Sequence, residues 1–139
     1  MRGRRAAVPL PVDAATPLPP LLVIQGSADR IVAAANGNEV AQLWADREGA
    51  KPRRSRIVKR GNRRAATITD YRVRSRGVAT LCVIEGLGHA WSGGAAGHAY
   101  SDPEGPDASR MIWSFVTRQF ARTAAGNAQA APPAEKVFS

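Results

Sequence analysis

Two short apolar runs constrain the fold of this chain more than any other feature. L-L-V-I (Leu21 to Ile24) is continuous and stops at Gln25-Gly26. V-A-T-L-C-V-I (Val78 to Ile84) becomes apolar at successive positions toward its end and then breaks into glycines. A strand with one face in water alternates, so a run without alternation needs cover on both faces, as in a parallel sheet flanked by helices. Each run leads into a polar turn: Ser27-Ala28-Asp29-Arg30 after the first, and G-L-G-H-A-W-S-G-G, carrying His89, after the second. In open α/β sheets ligand sites gather beyond the carboxyl ends of the strands. Asp29 and His89 therefore fall where a site would form if the two strands run parallel.

The segments between these runs supply the remaining elements. A-T-I-T-D-Y-R-V (Ala66 to Val73) alternates β-branched or aromatic with polar residues, turns at Ser75-Arg76-Gly77 and returns through the second apolar run. That pattern predicts a hairpin whose returning strand lies deeper in the sheet. Asn36 is placed to cap a helix carrying Val40, Leu43 and Trp44 and ending near Glu48-Gly49. Met111, Ile112, Phe115, Val116 and Phe120 form one stripe, predicting a second helix from about Asp107 to Arg122 over the sheet. The expected architecture is α/β: a few strands including a hairpin, flanked by two helices.

At 139 residues and 44% hydrophobic, the chain suits one domain. Pro9, Pro11, Pro17, Pro19 and Pro20 mark a beginning without periodicity. The expected organisation is a proline-rich leader over 1–16, a domain over 17–122 with a basic loop at 47–64, and a disordered tail over 123–139. No run reaches the roughly 18 apolar residues of a membrane span, and M-R-G-R-R-A-A-V-P-L-P-V lacks the apolar centre of a secretory signal. The expectation is a soluble, unexported chain with no membrane partner. Cys82, the single cysteine, has no intramolecular disulfide partner and suits a small buried core position better than a catalytic thiol.

The formal charge of +9 is local. Between Arg47 and Arg76 twelve basic residues stand against Glu48 and Asp70, so this segment carries +10 and the rest of the chain about −1. A nucleic-acid groove spreads its arginines over several elements and interleaves aromatic stacking residues, and here Tyr71 is the segment's one aromatic. The segment reads as a solvated arginine-rich loop and hairpin edge, which disfavours nucleic acid as a partner.

Taken singly, Asp29 suits a turn or cap and His89 a glycine-loop turn. Taken together they suit an acid that fixes an imidazole tautomer through Nδ1, leaving Nε2 to take a proton from a nucleophile. Trp91 fits either core packing or an apolar wall against the acyl part of a substrate. His89, His98 and Asp102 offer three metal-ligand types, but their H-x8-H-x3-D spacing matches no common site, so no metal or cofactor is expected. Gly86, Gly88, Gly93 and Gly94 suit sharp backbone turns around His89 rather than a phosphate cradle, since no helix starts directly after them.

Q-G-S-A-D-R-I-V, G-L-G-H-A-W-S-G-G and Y-S-D-P-E-G-P-D-A-S-R-M-I-W-S-F-V together resemble the C-terminal part of the polyhydroxybutyrate depolymerase family of α/β-hydrolase esterases, over roughly Pro17 to Phe120. The resemblance implies a Ser-Asp-His triad in which Asp29 is the acid and His89 the base, and it implies hydrolysis of carboxylic esters by acyl transfer. Substrates in the family include polyhydroxyalkanoates, short-chain esters and feruloyl-type esters, and members are often extracellular. Gln25 stands where many relatives have histidine.

The family's nucleophile sits in a G-x-S-x-G elbow, and no such pattern occurs in these 139 residues. Ser27 and Ser92 lie beside the two loops without that spacing. The expectation is thus a partial hydrolase sheet with acid and base but no nucleophile, inactive alone, whose partners are an ester and an upstream half of the same enzyme. Two other classes compete: a non-catalytic interaction fragment using an exposed sheet edge, and an arginine-rich nucleic-acid-binding module.

Overall fold

The computed structural model describes residues 16–130, which form a mixed α/β domain of two helices, a five-stranded mixed sheet and a two-stranded one. In chain order the elements are β1 (Leu21–Gly26), α1 (Ala34–Arg47), β2 (Lys51–Pro52), β3 (Arg56–Val58), β4 (Ala66–Val73), β5 (Arg76–Ile84), β6 (Trp91–Ser92), β7 (Ser101–Asp102) and α2 (Ala108–Ala130). The large sheet runs β1-β5-β4-β2, with β3 also paired to β4. β1 and β5 are parallel, Leu21 opposite Ala79 through Gly26 opposite Ile84, and the other pairs in this sheet are antiparallel. β6 and β7 form a separate short parallel pair.

The unbroken apolar character of β5 follows from its place between β1 and β4, covered above and below. Cys82 and Ile84 are fully buried there, and burying a side chain the size of Ile84 is worth about 2 kcal/mol. One sheet face packs Tyr71, Ala79 and Leu81 under Ala41 and Ala45 of α1. The other packs Ala66, Cys82 and Ile84 with Leu87, Ile24, Ile68 and Met111 of α2. The hairpin lies where the alternation predicts it. It closes through Arg74, whose φ of 52° is left-handed, and its register shifts between Tyr71 and Arg72.

The helices differ from expectation in which side chains they bury. α1 begins at Ala34, two residues before Asn36, and its cap position is held by Ala33 with no side-chain cap. The preceding turn is organised instead by the Asp29 carboxylate, which accepts the amides of Ile31 and Val32. Val40 and Leu43 are exposed, because Ala41 and Ala45 are small enough to bring the helix onto the sheet and so define the buried stripe. Trp44 packs at the margin of that core, its Nε1–H donating to Pro19 O at 2.8 Å. α1 ends as its sequence predicts: Gly49 is left-handed at φ 66°, and the Ala50 amide reaches back to Ala45 O at 2.8 Å.

α2 extends to Ala130, eight residues past the expected end, so residues 123–130 are helical rather than a disordered tail. Its T-A-A-G-N-A-Q-A stretch is rich in alanine, the strongest helix former, and contains no proline. Phe120, expected in the buried stripe, is exposed. The rest of the expected tail, 131–139, and all but Thr16 of the expected leader lie outside the described residues.

The basic segment is partly ordered structure rather than loop. It contributes β2 and β3, and Arg56 pairs with Asp70 at 2.5 Å. Arg64 pairs with Asp102 at 2.8 Å, and Arg63 donates to Gly105 O at 2.6 Å. These two arginines tie the segment to the β7 loop, so part of its charge is structural rather than solvated. Among the described residues no helix is long and apolar enough to cross a membrane.

Candidate functional site

β1 and β5 are adjacent and parallel, so their carboxyl ends open side by side. Backbone hydrogen bonds join the two loops beyond them: the Ser27 amide donates to Ile84 O and the Ala28 amide to Leu87 O, each at 3.0 Å. The Gly86 amide donates to Ser27 Oγ at 2.9 Å. Gly26 lets the loops close this far, since a Cβ there would lie 2.0 Å from Leu87 O. Leu87 is buried beneath the crossing, which holds the next two residues at a defined height above the sheet.

On this platform His89 Nδ1 lies 3.0 Å from Asp29 Oδ2. Asp29 Oδ1 accepts the Ile31 and Val32 amides, both at 2.9 Å. The Val32 amide, then the His89 ring, hold this carboxyl below its ordinary value. The carboxylate is the less exposed partner, at 12% against 43% for the histidine side chain. The imidazole is thus fixed at one nitrogen, and among the described residues no hydrogen bond engages the other.

The pair lies in a groove of about 820 Å³ between β1, the His89 loop and α2. Its walls are mostly apolar: Leu22, Ile24 and Val32 on one side, Ile112, Phe115 and Val116 of α2 on the other, and Trp91 near the histidine. This volume is in the range of small-molecule sites. Trp91 is half exposed and lines the groove instead of packing in the core. Tyr100 meets the His89 ring edge-on, with centroids 5.9 Å apart and planes at 84°. It has a left-handed φ of 58°.

Of the expected site residues, Asp29, His89 and Trp91 come together. His98 and Asp102 do not join them as a ligand set: Asp102 is engaged by Arg64, and no group of three or more His, Cys, Asp or Glu side chains converges among the described residues. Ser92 is buried with its Oγ donating to Pro106 O at 2.6 Å, and Ser27 Oγ serves the Gly86 amide. Both serines beside the pair are therefore committed to loop structure. The sequence reading gave Tyr100 no role, and its position against His89 depends on a loop conformation without local signal.

No family model matches the chain, and no curated protein matches it.

Proposed function

We propose that Asp29 and His89 are the acid and base of a serine-type carboxylic ester hydrolase, in a partial α/β-hydrolase sheet resembling the polyhydroxybutyrate depolymerase family. The observation that carries this reading is the 3.0 Å contact of His89 Nδ1 with Asp29 Oδ2, made beyond the carboxyl ends of two adjacent parallel strands. Hydrolysis requires a nucleophile from outside the residues described. Its oxygen attacks the ester carbonyl while His89 takes the proton and delivers it to the leaving alcohol, and water then releases the acyl group through the same base. Asp29 orients the ring and stabilises its charged form. The apolar groove suits an acyl chain or an aromatic acid, with Trp91 as wall.

The place for that nucleophile is the edge of β1 that is unpaired among the described residues. This strand pairs only with β5 among the described residues, and L-L-V-I-Q-G has neither the charge nor the proline that guards an exposed edge. A strand-turn-helix segment carrying G-x-S-x-G, paired there, would bring its serine to the same end of the sheet as His89. The test is hydrolysis of a 4-nitrophenyl short-chain ester. The chain alone is expected at background. Addition of such a segment in trans should raise the rate, and His89→Ala should abolish the gain. A gain that survives His89→Ala would overturn the assignment.

The same open edge favours a second reading, a non-catalytic interaction domain. Elution as a stable monomer with intact secondary structure removes the motive for that alternative.

A further inference from the structure

The sheet face under α2 changes character along its length. Near His89 it is Ala66, Ile68, Cys82 and Ile84; farther along β4 and β5 the same face carries Asp70, Arg72 and Thr80. Between these residues and the central turns of α2 lies a second pocket of about 210 Å³, lined in part by Arg56, Arg72, Arg118 and Arg122. The volume is several times the roughly 30 Å³ that one water occupies in the liquid.

Asp70 is the single carboxylate on these walls. Its two oxygens are already used, Oδ2 by Arg56 at 2.5 Å and Oδ1 by Thr80 Oγ1 at 2.7 Å. It anchors Arg56 and also acts electrostatically on Arg72, so one carboxylate stands against all four guanidiniums. Arg72 donates one N–H to Ser75 O and keeps other donors. Arg118 and Arg122 have no hydrogen-bond or ion-pair partner among the described residues. Four guanidiniums against one carboxylate leave the pocket with about three positive charges.

We propose that this pocket binds a small dianionic oxyanion: inorganic phosphate or the phosphate group of a monoester. Guanidiniums arrive from β3, β4 and α2, and a tetrahedral dianion offers acceptors in several directions, whereas a planar carboxylate offers two oxygens in one plane. The charges converge on one pocket instead of tracking along a surface. Tyr71, the aromatic of the basic segment, is buried in the layer under α1, so that ring offers no stacking surface beside them. The proposal is independent of the ester-hydrolase reading, although Phe115 lines both the groove and this pocket.

The test is calorimetric titration of the full chain at constant ionic strength with inorganic phosphate, glycerol phosphate and acetate. Both phosphates should bind saturably and acetate should not. Tighter binding of inorganic phosphate would identify the free ion as the ligand, and tighter binding of the monoester a phosphorylated metabolite. The Arg118→Gln, Arg122→Gln pair lies on the exposed part of α2, and circular dichroism checks that its fold is retained. It should weaken phosphate binding roughly tenfold or more. Arg54→Gln with Arg60→Gln makes the same charge change elsewhere and should leave affinity unchanged. Equal weakening in the two double variants, non-saturable binding, or equal affinity for acetate would overturn the proposal. So would a single-stranded oligonucleotide that binds more tightly than phosphate and is unaffected by the Arg118 and Arg122 changes.

Discussion

His89 Nδ1 and Asp29 Oδ2 are 3.0 Å apart although sixty residues separate them in the chain. The carboxylate is held in its ionised form by the Val32 amide and by the ring itself, and an ionised carboxylate only accepts. Nδ1 must then carry the hydrogen whenever the ring is neutral. Long-range nitrogen–proton NMR at a pH where the ring is neutral should show His89 as the Nδ1–H tautomer, and Asp29→Ala should erase that preference. An Nε2–H tautomer in the unaltered chain would contradict the assigned orientation.

Acid should act on three carboxylates at once. For Glu48 the Leu18 amide, then Arg76, lower the value. For Asp70 burial pushes the value up, but hydrogen bonds from Arg56 and Thr80 outweigh it and the net direction is down. Asp29 is lowered as well. A group whose folded value lies below its unfolded one contributes stability above the unfolded value, near 4 for such carboxyls, and loses it as pH falls through the folded value. Melting temperature should therefore be flat above about pH 5 and fall steeply below about pH 4. Glu48→Gln should lower it at neutral pH, by about 1–2 kcal/mol of stability, and should flatten the acid limb. An unchanged acid limb in Glu48→Gln would show that its bonds to Leu18 and Arg76 are not formed in solution.

The parts of the fold that were legible in the sequence are those where one local signal determines the outcome. β4 needed only its alternation, and the end of α1 only Gly49. The contact between Asp29 and His89 needed two strand ends and the expectation that their loops meet. Helix faces were harder to read because hydrophobicity ranks Val40 and Leu43 above Ala41 and Ala45, while the sheet selects for how closely a helix can approach. β2 and β3 are not legible because a few arginine-rich residues carry no strand pattern, and their pairing depends on the edge of β4. The arginine pocket was invisible for a related reason. It joins Arg56 and Arg72 to Arg118 and Arg122, which meet only once α2 lies across the sheet.

Cys82 should behave as an inert core residue. It is fully buried, and burial pushes its thiol up to about 11, slightly opposed by Arg56. The thiolate is the reactive species. At pH 8 an aromatic disulfide reagent should label the native chain on the order of 100-fold more slowly than the denatured chain, and Cys82→Ala should leave the His89 tautomer unchanged. Fast labelling under native conditions would mean that the sheet opens beneath α2.

The loop crossing under the candidate site makes a sharp demand on Gly26. A methyl group there would sit 2.0 Å from Leu87 O and 2.9 Å from Gly88 O. Both are backbone atoms, so no side-chain rotation relieves the clash. The backbone must shift where the Ala28 amide meets Leu87 O, and His89 lies two residues further on. Gly26→Ala should cost on the order of 3 kcal/mol and lengthen the contact between His89 and Asp29. Gly49→Ala separates strain from crowding: its Cβ would meet nothing within 4 Å, but its φ of 66° is left-handed. That variant should cost about 1 kcal/mol and leave the His89 tautomer as it is. Denaturant unfolding with NMR of the imidazole on both variants checks the pair of expectations. Equal stability losses with no tautomer change in Gly26→Ala would mean that the crossing does not position the histidine.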